Sequence, residues 1–188
     1  EPFATINKAT SIAQPGDTIV VIKNDGVPYR EGVISNNPGD EEGYITLRGV
    51  SPQEKPEIWA SDDVSGGWIP YGGGNPDTYQ RSVDSSAYLP TFAAGLSMDN
   101  LVVRPEGASE DTLNEGEWYY TNGTLYMRTI SPEDPNSLHI EFSTRDYGIN
   151  MQEYVSLADI IVRFAGNTAF ALQSNTIATR IEAYQGLV

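Results

Sequence analysis

The residues best suited to recognition are flat aromatics in irregular or hairpin sequence. Trp68, Tyr71 and Tyr79 fall in a stretch rich in glycine and proline, and Trp118 and Tyr120 stand two residues apart beside an Asn-Gly pair. Alternate residues of a strand point the same way, so Trp118 and Tyr120 share one face. Such rings can stack on sugars, which makes Trp68, Tyr71, Trp118 and Tyr120 the candidate carbohydrate-binding residues. The same rings could instead pack the excursion against a wall of the fold, because large aromatics supply much of the area a core buries.

Acid-base and metal chemistry is harder to locate. Glycoside hydrolysis needs two carboxylates held about 5 to 10 Å apart, and twenty-six Asp and Glu leave no basis for choosing a pair. Asp40-Glu41-Glu42, Asp62-Asp63 and Glu110-Asp111 could furnish oxygen ligands for calcium, yet none has the spaced Asp/Asn/Gly pattern of a calcium loop. No metal ligand and no other cofactor is assigned. His139, the single histidine, begins a strand and reads more readily as a hydrogen-bonded histidine than as a base. Asn122-Gly123-Thr124 matches a glycosylation sequon, although a turn role already accounts for it.

Composition removes whole classes of function. Eleven Lys and Arg against twenty-six acidic residues give a formal charge of -15 in 188 residues, a field that repels nucleic acid and anionic membranes. With no cysteine there are no disulfides, thiolate metal sites or cysteine nucleophiles. The apolar runs are far shorter than the roughly 20 residues that span a bilayer, so no membrane insertion is expected. High acidity suits an exposed extracellular setting, and a start at Glu1-Pro2-Phe3 is what removal of a signal peptide, removal of a tag or trimming would each leave, so a secreted or cell-surface protein is the expectation.

The elements that must position these residues are short. Thr5 can cap a helix carrying Ile6, Ala9, Ile12 and Ala13 on one face, ended by Pro15-Gly16. Brief β-branched runs follow, Thr18 to Ile22 and Tyr44 to Leu47, punctuated by turn residues. The interval 51–137 reads as an insertion of irregular loops, and within it 117–128 is a hairpin turning at Asn122-Gly123. From 138 to 188 short runs recur. Setting Val155-Ser156-Leu157 over Ile177-Ala178-Thr179, and Ile160 near Ile181, gives an offset of about 22 residues, the spacing of a solenoid coil.

Phe3-Ala4-Thr5-Ile6, Pro15-Gly16-Asp17-Thr18-Ile19-Val20-Val21, Tyr29-Arg30-Glu31 and Tyr44 to Gly49 together resemble the opening of the right-handed parallel β-helix superfamily. Tyr154 to Asn167 is similar to its recurring coil. The likeness is to pectate-lyase-like proteins and to the N-terminal region of alginate lyase and chondroitinase types. It implies an all-β solenoid: a capping helix over 1–16, first coils over 17–50, the insertion over 51–137, and further coils over 138–188 that stop at Gln185-Gly186-Leu187-Val188 without a polar cap. An amphipathic helix at the first coil makes physical sense, since a solenoid end exposes backbone edges.

In lyases of this kind a Lys or Arg removes a proton beside a uronic carboxylate. Lys8, Lys23 and Lys55 all lie on the cap or early turns, and Arg163 is a candidate only for anion contact. The resemblance therefore implies the N-terminal part of a secreted polysaccharide-binding or polysaccharide-degrading protein whose catalytic groove lies outside these residues. The alternative expectation is a structural extracellular protein whose copies stack end to end into a filament or surface array, the partner then being another copy of the chain.

Overall fold

The computed structural model describes residues 2–83, 92–95, 102–130 and 133–184, the segment 92–95 by its backbone alone. The expected uncapped terminus at 185–188 lies outside them. The described chain is β-rich with a single α-helix and falls into two compact units, Glu1–Ser61 with Arg145–Val188, and Asp62–Thr144.

In chain order the elements are α1 (Ile6–Thr10), β1 (Thr18–Val21), β2 (Val33–Ile34), β3 (Ile45–Gly49) and β4 (Glu57–Trp59). β5 (Ser61–Asp63), β6 (Ile69–Pro70), β7 (Thr78–Ser82), β8 (Phe92–Gly95), β9 (Val102–Arg104), β10 (Trp118–Thr121), β11 (Thr124–Arg128) and β12 (His139–Ser143) follow. The chain then returns to the first unit as β13 (Tyr147–Met151), β14 (Val155–Ala158), β15 (Ile161–Arg163), β16 (Thr168–Leu172), β17 (Ile177–Thr179) and β18 (Glu182–Tyr184).

The first unit holds three parallel sheets, in the orders β1-β3-β14-β17, β16-β13-β2 and β18-β15-β4. From β13 onward the chain visits the three sheets in turn, and each strand pairs with the one 21 residues later: Tyr147 with Thr168, Ser156 with Ile177, Ile161 with Glu182. The offset of about 22 expected from the sequence is 21 in the ladder: Ile160 and Ile181 have that spacing, whereas setting Val155 over Ile177 is one residue too far. A slip of one residue would exchange the two faces of β17; in the observed register Ile177 lies over exposed-side Ser156 and is 50% exposed, while Ala178 follows buried Leu157. Ile58 of β4 pairs with Val162, 104 residues later, and setting aside the 83 residues of Asp62–Thr144 again leaves 21. The chain leaves and re-enters this unit at adjacent points, where the Arg145 amide donates to Ala60 O at 3.1 Å.

Corners recur with the same period. Tyr154 and Asn175, then Asp159 and Arg180, take the left-handed conformation at equivalent positions (φ 53, 57, 56 and 51°). The core inside the strands is aliphatic, with Val33, Ile45, Leu47, Ile58, Ile149, Val155, Leu157 and Val162 all fully buried. Gly148 of β13 is there because the position has no room: a Cβ would stand 2.1 Å from Val162 Cγ1 and 2.8 Å from Ala169 O.

α1 forms where Thr5 caps it, accepting from the Lys8 amide at 3.1 Å. The carboxylate of Glu31 takes the amides of Ile6 and Asn7 (2.9 and 3.0 Å), satisfying two more of the first-turn donors. The helix shields the edge of β2 through Asn7, whose Oδ1 accepts from Ile34 N and whose Nδ2 donates to Gly32 O, both at 2.7 Å. The helical face is shorter than the sequence pattern implies. Ile6, Ala9 and Ala13 are buried, but the helix ends at Thr10 and Ile12 is exposed.

The second unit contains two four-stranded sheets, β10-β11-β7-β6 and β5-β12-β8-β9. The first is antiparallel throughout, and so are the β12–β8 and β8–β9 pairings of the second. Both contribute to one core of Val64, Trp68, Trp118, Leu125, Met127, Leu138, Ile140 and Phe142. The β10–β11 hairpin turns at Asn122-Gly123, both residues at positive φ (48 and 77°), as a type I′ turn requires. No helix among the described residues is long and apolar enough to cross a membrane.

Candidate functional site

A two-residue turn decides which aromatics of the hairpin look inward. Trp118 pairs with Met127 and Tyr120 with Leu125, so these four share the face that meets the core. Tyr119 pairs with Tyr126, which in turn pairs with Gln80 of β7, and this row occupies the opposite face. Ile69 of β6 continues the row beside Gln80 and is exposed.

The four aromatics expected to form a sugar platform are thus divided, Trp68, Trp118 and Tyr120 belonging to one core and Tyr71 to the other side of the sheet. Trp68 (4% exposed) donates its indole N–H to Val64 O at 2.9 Å, and Trp118 (2% exposed) donates to Arg104 O at 2.8 Å while meeting Phe142 edge-on. Both indoles are core, with no ring face turned to solvent. Tyr120 is half-buried against Phe142, and Tyr79 packs on the same core. Tyr71 alone of the four belongs to the outer side, where its ring meets Tyr126 in a T-shaped contact at 5.1 Å.

The outer face therefore carries Tyr119, Tyr126 and Tyr71, all half-buried, with Gln80 between strands. The Tyr71 hydroxyl donates to Asp111 Oδ1 at 3.0 Å, and that hydrogen bond, followed by burial and the acidic neighbours Asp111 and Glu110, raises its pKa. The Tyr71 hydroxyl is thus directed at Asp111 beside the Tyr126 ring. The loop beyond is held down by Leu113, whose carbonyl takes Arg128 Nη1 at 3.1 Å and Asn75 Nδ2 at 2.8 Å. Flat rings, a side-chain amide and a carboxylate on a sheet surface suit a neutral, hydroxyl-rich ligand.

The other expected groups are engaged locally. Asp40 Oδ1 takes the amides of Glu42 and Gly43 in its own turn, and Asp62 accepts from Thr144 Oγ1 at 2.8 Å. Lys8 and Lys23 are exposed, Lys55 is paired with Glu182, and Arg163 binds Glu57 at 3.0 Å while its guanidinium lies 4.5 Å from the Tyr184 ring centroid.

A second polar cluster was not visible as such in the sequence. His139 and Glu141 are two apart on β12 and Asp63 ends β5, the neighbouring strand of the same sheet. One ligand-type atom from each lies within 4.8 Å of the others. His139 Nε2 and Glu141 Oε1 are 2.6 Å apart, and Glu141 is fully buried whereas Asp63 is exposed. Asp63 Oδ1 also accepts the Ser65 amide at 2.8 Å, and Ser65 Oγ accepts from Ile140 N at 2.9 Å, which locks the turn after β5 onto β12.

One solved structure shares the fold. The complex structure of XylC with xylose matches at a TM-score of 0.67 and 18% identity, over 88% of this chain and 33% of that one. A glycoside hydrolase matches at a TM-score of 0.42 and 11% identity, over 81% of this chain and 42% of that one. The protein thus spans about a third of the XylC chain it matches. No protein-family model matches it, and no curated protein does.

Proposed function

We propose that this chain is a segment of a secreted or cell-surface right-handed parallel β-helix protein that binds or degrades polysaccharide, and that its inserted unit binds a neutral glycan on the Tyr119–Tyr126–Tyr71 face. The observation that carries the reading is the outer row itself: the cross-strand pair Tyr119 and Tyr126, Tyr71 against Tyr126 at 5.1 Å, Gln80 paired with Tyr126, and Asp111 bonded to Tyr71. The 21-residue register across three parallel sheets and the likeness to XylC support the β-helix part. Xylose in that structure makes xylose-containing polymers the first ligands to try. A charge of -15 disfavours anionic glycans. Catalysis, if the whole protein has it, is assigned outside these residues.

The test is affinity electrophoresis of the intact chain through gels containing xylan, other neutral polysaccharides, or none. Retardation in a neutral-polymer gel that Tyr126→Ala abolishes is the expected result, and migration unaffected by every polymer overturns the assignment. A second reading, end-to-end stacking of copies, draws on an apolar groove of about 460 Å³ between α1 and β1, where Phe3, Ile12, Val20 and Ile22 are exposed. Sedimentation velocity decides it: a monomer at all concentrations removes the stacking reading.

A further inference from the structure

We propose that Asp63, His139 and Glu141 form a binding site for one borderline divalent transition ion of the zinc class. Three observations converge on it. The donor set is one imidazole nitrogen and two carboxylates with all three atoms inside 4.8 Å, the mixed N/O chemistry that suits zinc, cobalt or manganese better than calcium, which takes six to eight oxygens. The donors sit on adjacent strands of one sheet, with His139 and Glu141 on the same face by alternation, so they are held by backbone rather than by a mobile loop. Finally, the donors are graded in depth, from Glu141 fully buried, through half-buried His139, to exposed Asp63. That gives the ion a way in and a low-dielectric floor, where a dication is well matched to a buried carboxylate.

Metal–ligand bonds of about 2.0 to 2.2 Å would require the 2.6 Å contact between His139 Nε2 and Glu141 Oε1 to open by roughly 0.5 to 1 Å. A small rotation of the half-buried imidazole supplies that. The ion would displace this contact, bind Nε2, and leave the imidazole proton on Nδ1. Three protein ligands leave at least one position for water. The strongly acidic chain raises the local concentration of cations at the mouth.

Because His139 is the only histidine and cysteine is absent, any imidazole signal reports this site alone. The experiment is a zinc titration of the intact chain, in excess magnesium to occupy surface carboxylates, followed by long-range ¹H–¹⁵N correlation of the single imidazole and by calorimetry. The expected result is saturable one-to-one binding that shifts the ring to the Nδ1–H tautomer, with cobalt broadening the same resonances. His139→Gln and Asp63→Asn are each expected to weaken zinc by at least about 10-fold, and exposed Asp63 makes the second variant safe for folding. An imidazole unmoved by zinc, or zinc binding undiminished in His139→Gln, overturns the proposal and leaves the cluster as a purely protein-neutralised hydrogen-bond group.

Discussion

Replacing Trp118 and Tyr126 in turn, on opposite faces of one hairpin, separates packing from surface. Trp118 is 2% exposed, meets Phe142 edge-on and donates to Arg104 O. Truncating a buried tryptophan to alanine costs about 3 to 5 kcal/mol, and orphaning the Arg104 carbonyl adds about 1 kcal/mol. In a unit the size of Asp62–Thr144 each kcal/mol lowers the melting temperature by roughly 4 to 8 °C, so Trp118→Ala leaves this unit at or past its stability limit. Tyr126→Ala removes a half-buried ring whose T-shaped pairing with Tyr71 is worth about 0.5 to 1.5 kcal/mol. A fall of only several degrees is expected there, with near-ultraviolet circular dichroism retained. Differential scanning calorimetry of both variants is the assay. A Tyr126→Ala loss as large as that of Trp118→Ala would refute the assignment of faces, and with it the reading of Tyr126 as a ligand-facing residue.

Two further outcomes test the first unit. Gly148→Ala would push a methyl into Val162 Cγ1 and Ala169 O, and denaturant unfolding should show a loss at the upper end of roughly 1 to 3 kcal/mol. The Asp159 carboxylate is held below the usual carboxylate range by its hydrogen bonds with Arg180 (2.5 and 2.8 Å), with desolvation opposing and the Arg180, Lys55 and Arg48 charges assisting. A lowered folded pKa means a stabilisation that is full above the ordinary carboxylate value and lost as pH falls through the folded one. Thermal melts against pH should therefore show wild type more stable than Asp159→Asn at neutral pH, the gap closing in acid, and a gap independent of pH would contradict the pairing.

Much of the architecture was legible because it rests on local signals. Thr5 as a cap, Asn122-Gly123 as a turn and β-branched runs between turn residues each state a backbone requirement within a few positions. The strand-pairing period was nearly legible, since Ile160 and Ile181 have the observed 21-residue spacing, but the alignment of Val155 with Ile177 matches hydrophobicity, whereas the ladder puts Ile177 over Ser156. Similarity of side chains misleads when the outward face of a strand is itself apolar. The same cause explains the aromatic face. Trp118 and Tyr120 drew attention as rings, yet the two-residue turn sets Trp118 opposite Met127 and Tyr120 opposite Leu125, while Tyr119 faces Tyr126. The purely apolar Leu125 and Met127, against Thr124, Tyr126 and Arg128, already marked the inner side. The Asp63–His139–Glu141 cluster could not be read at all, since its members are some seventy-six positions apart and meet only through the β5–β12 pairing.

Binding at the tyrosine face is tested by titrating the intact chain with a neutral oligosaccharide and following the aromatic ¹H–¹³C resonances of its tyrosines and tryptophans. Shifts confined to Tyr119, Tyr126 and Tyr71, with Trp68 and Trp118 silent, are predicted. Shifts at the two tryptophans, or at none of the five rings for any neutral glycan, would contradict it.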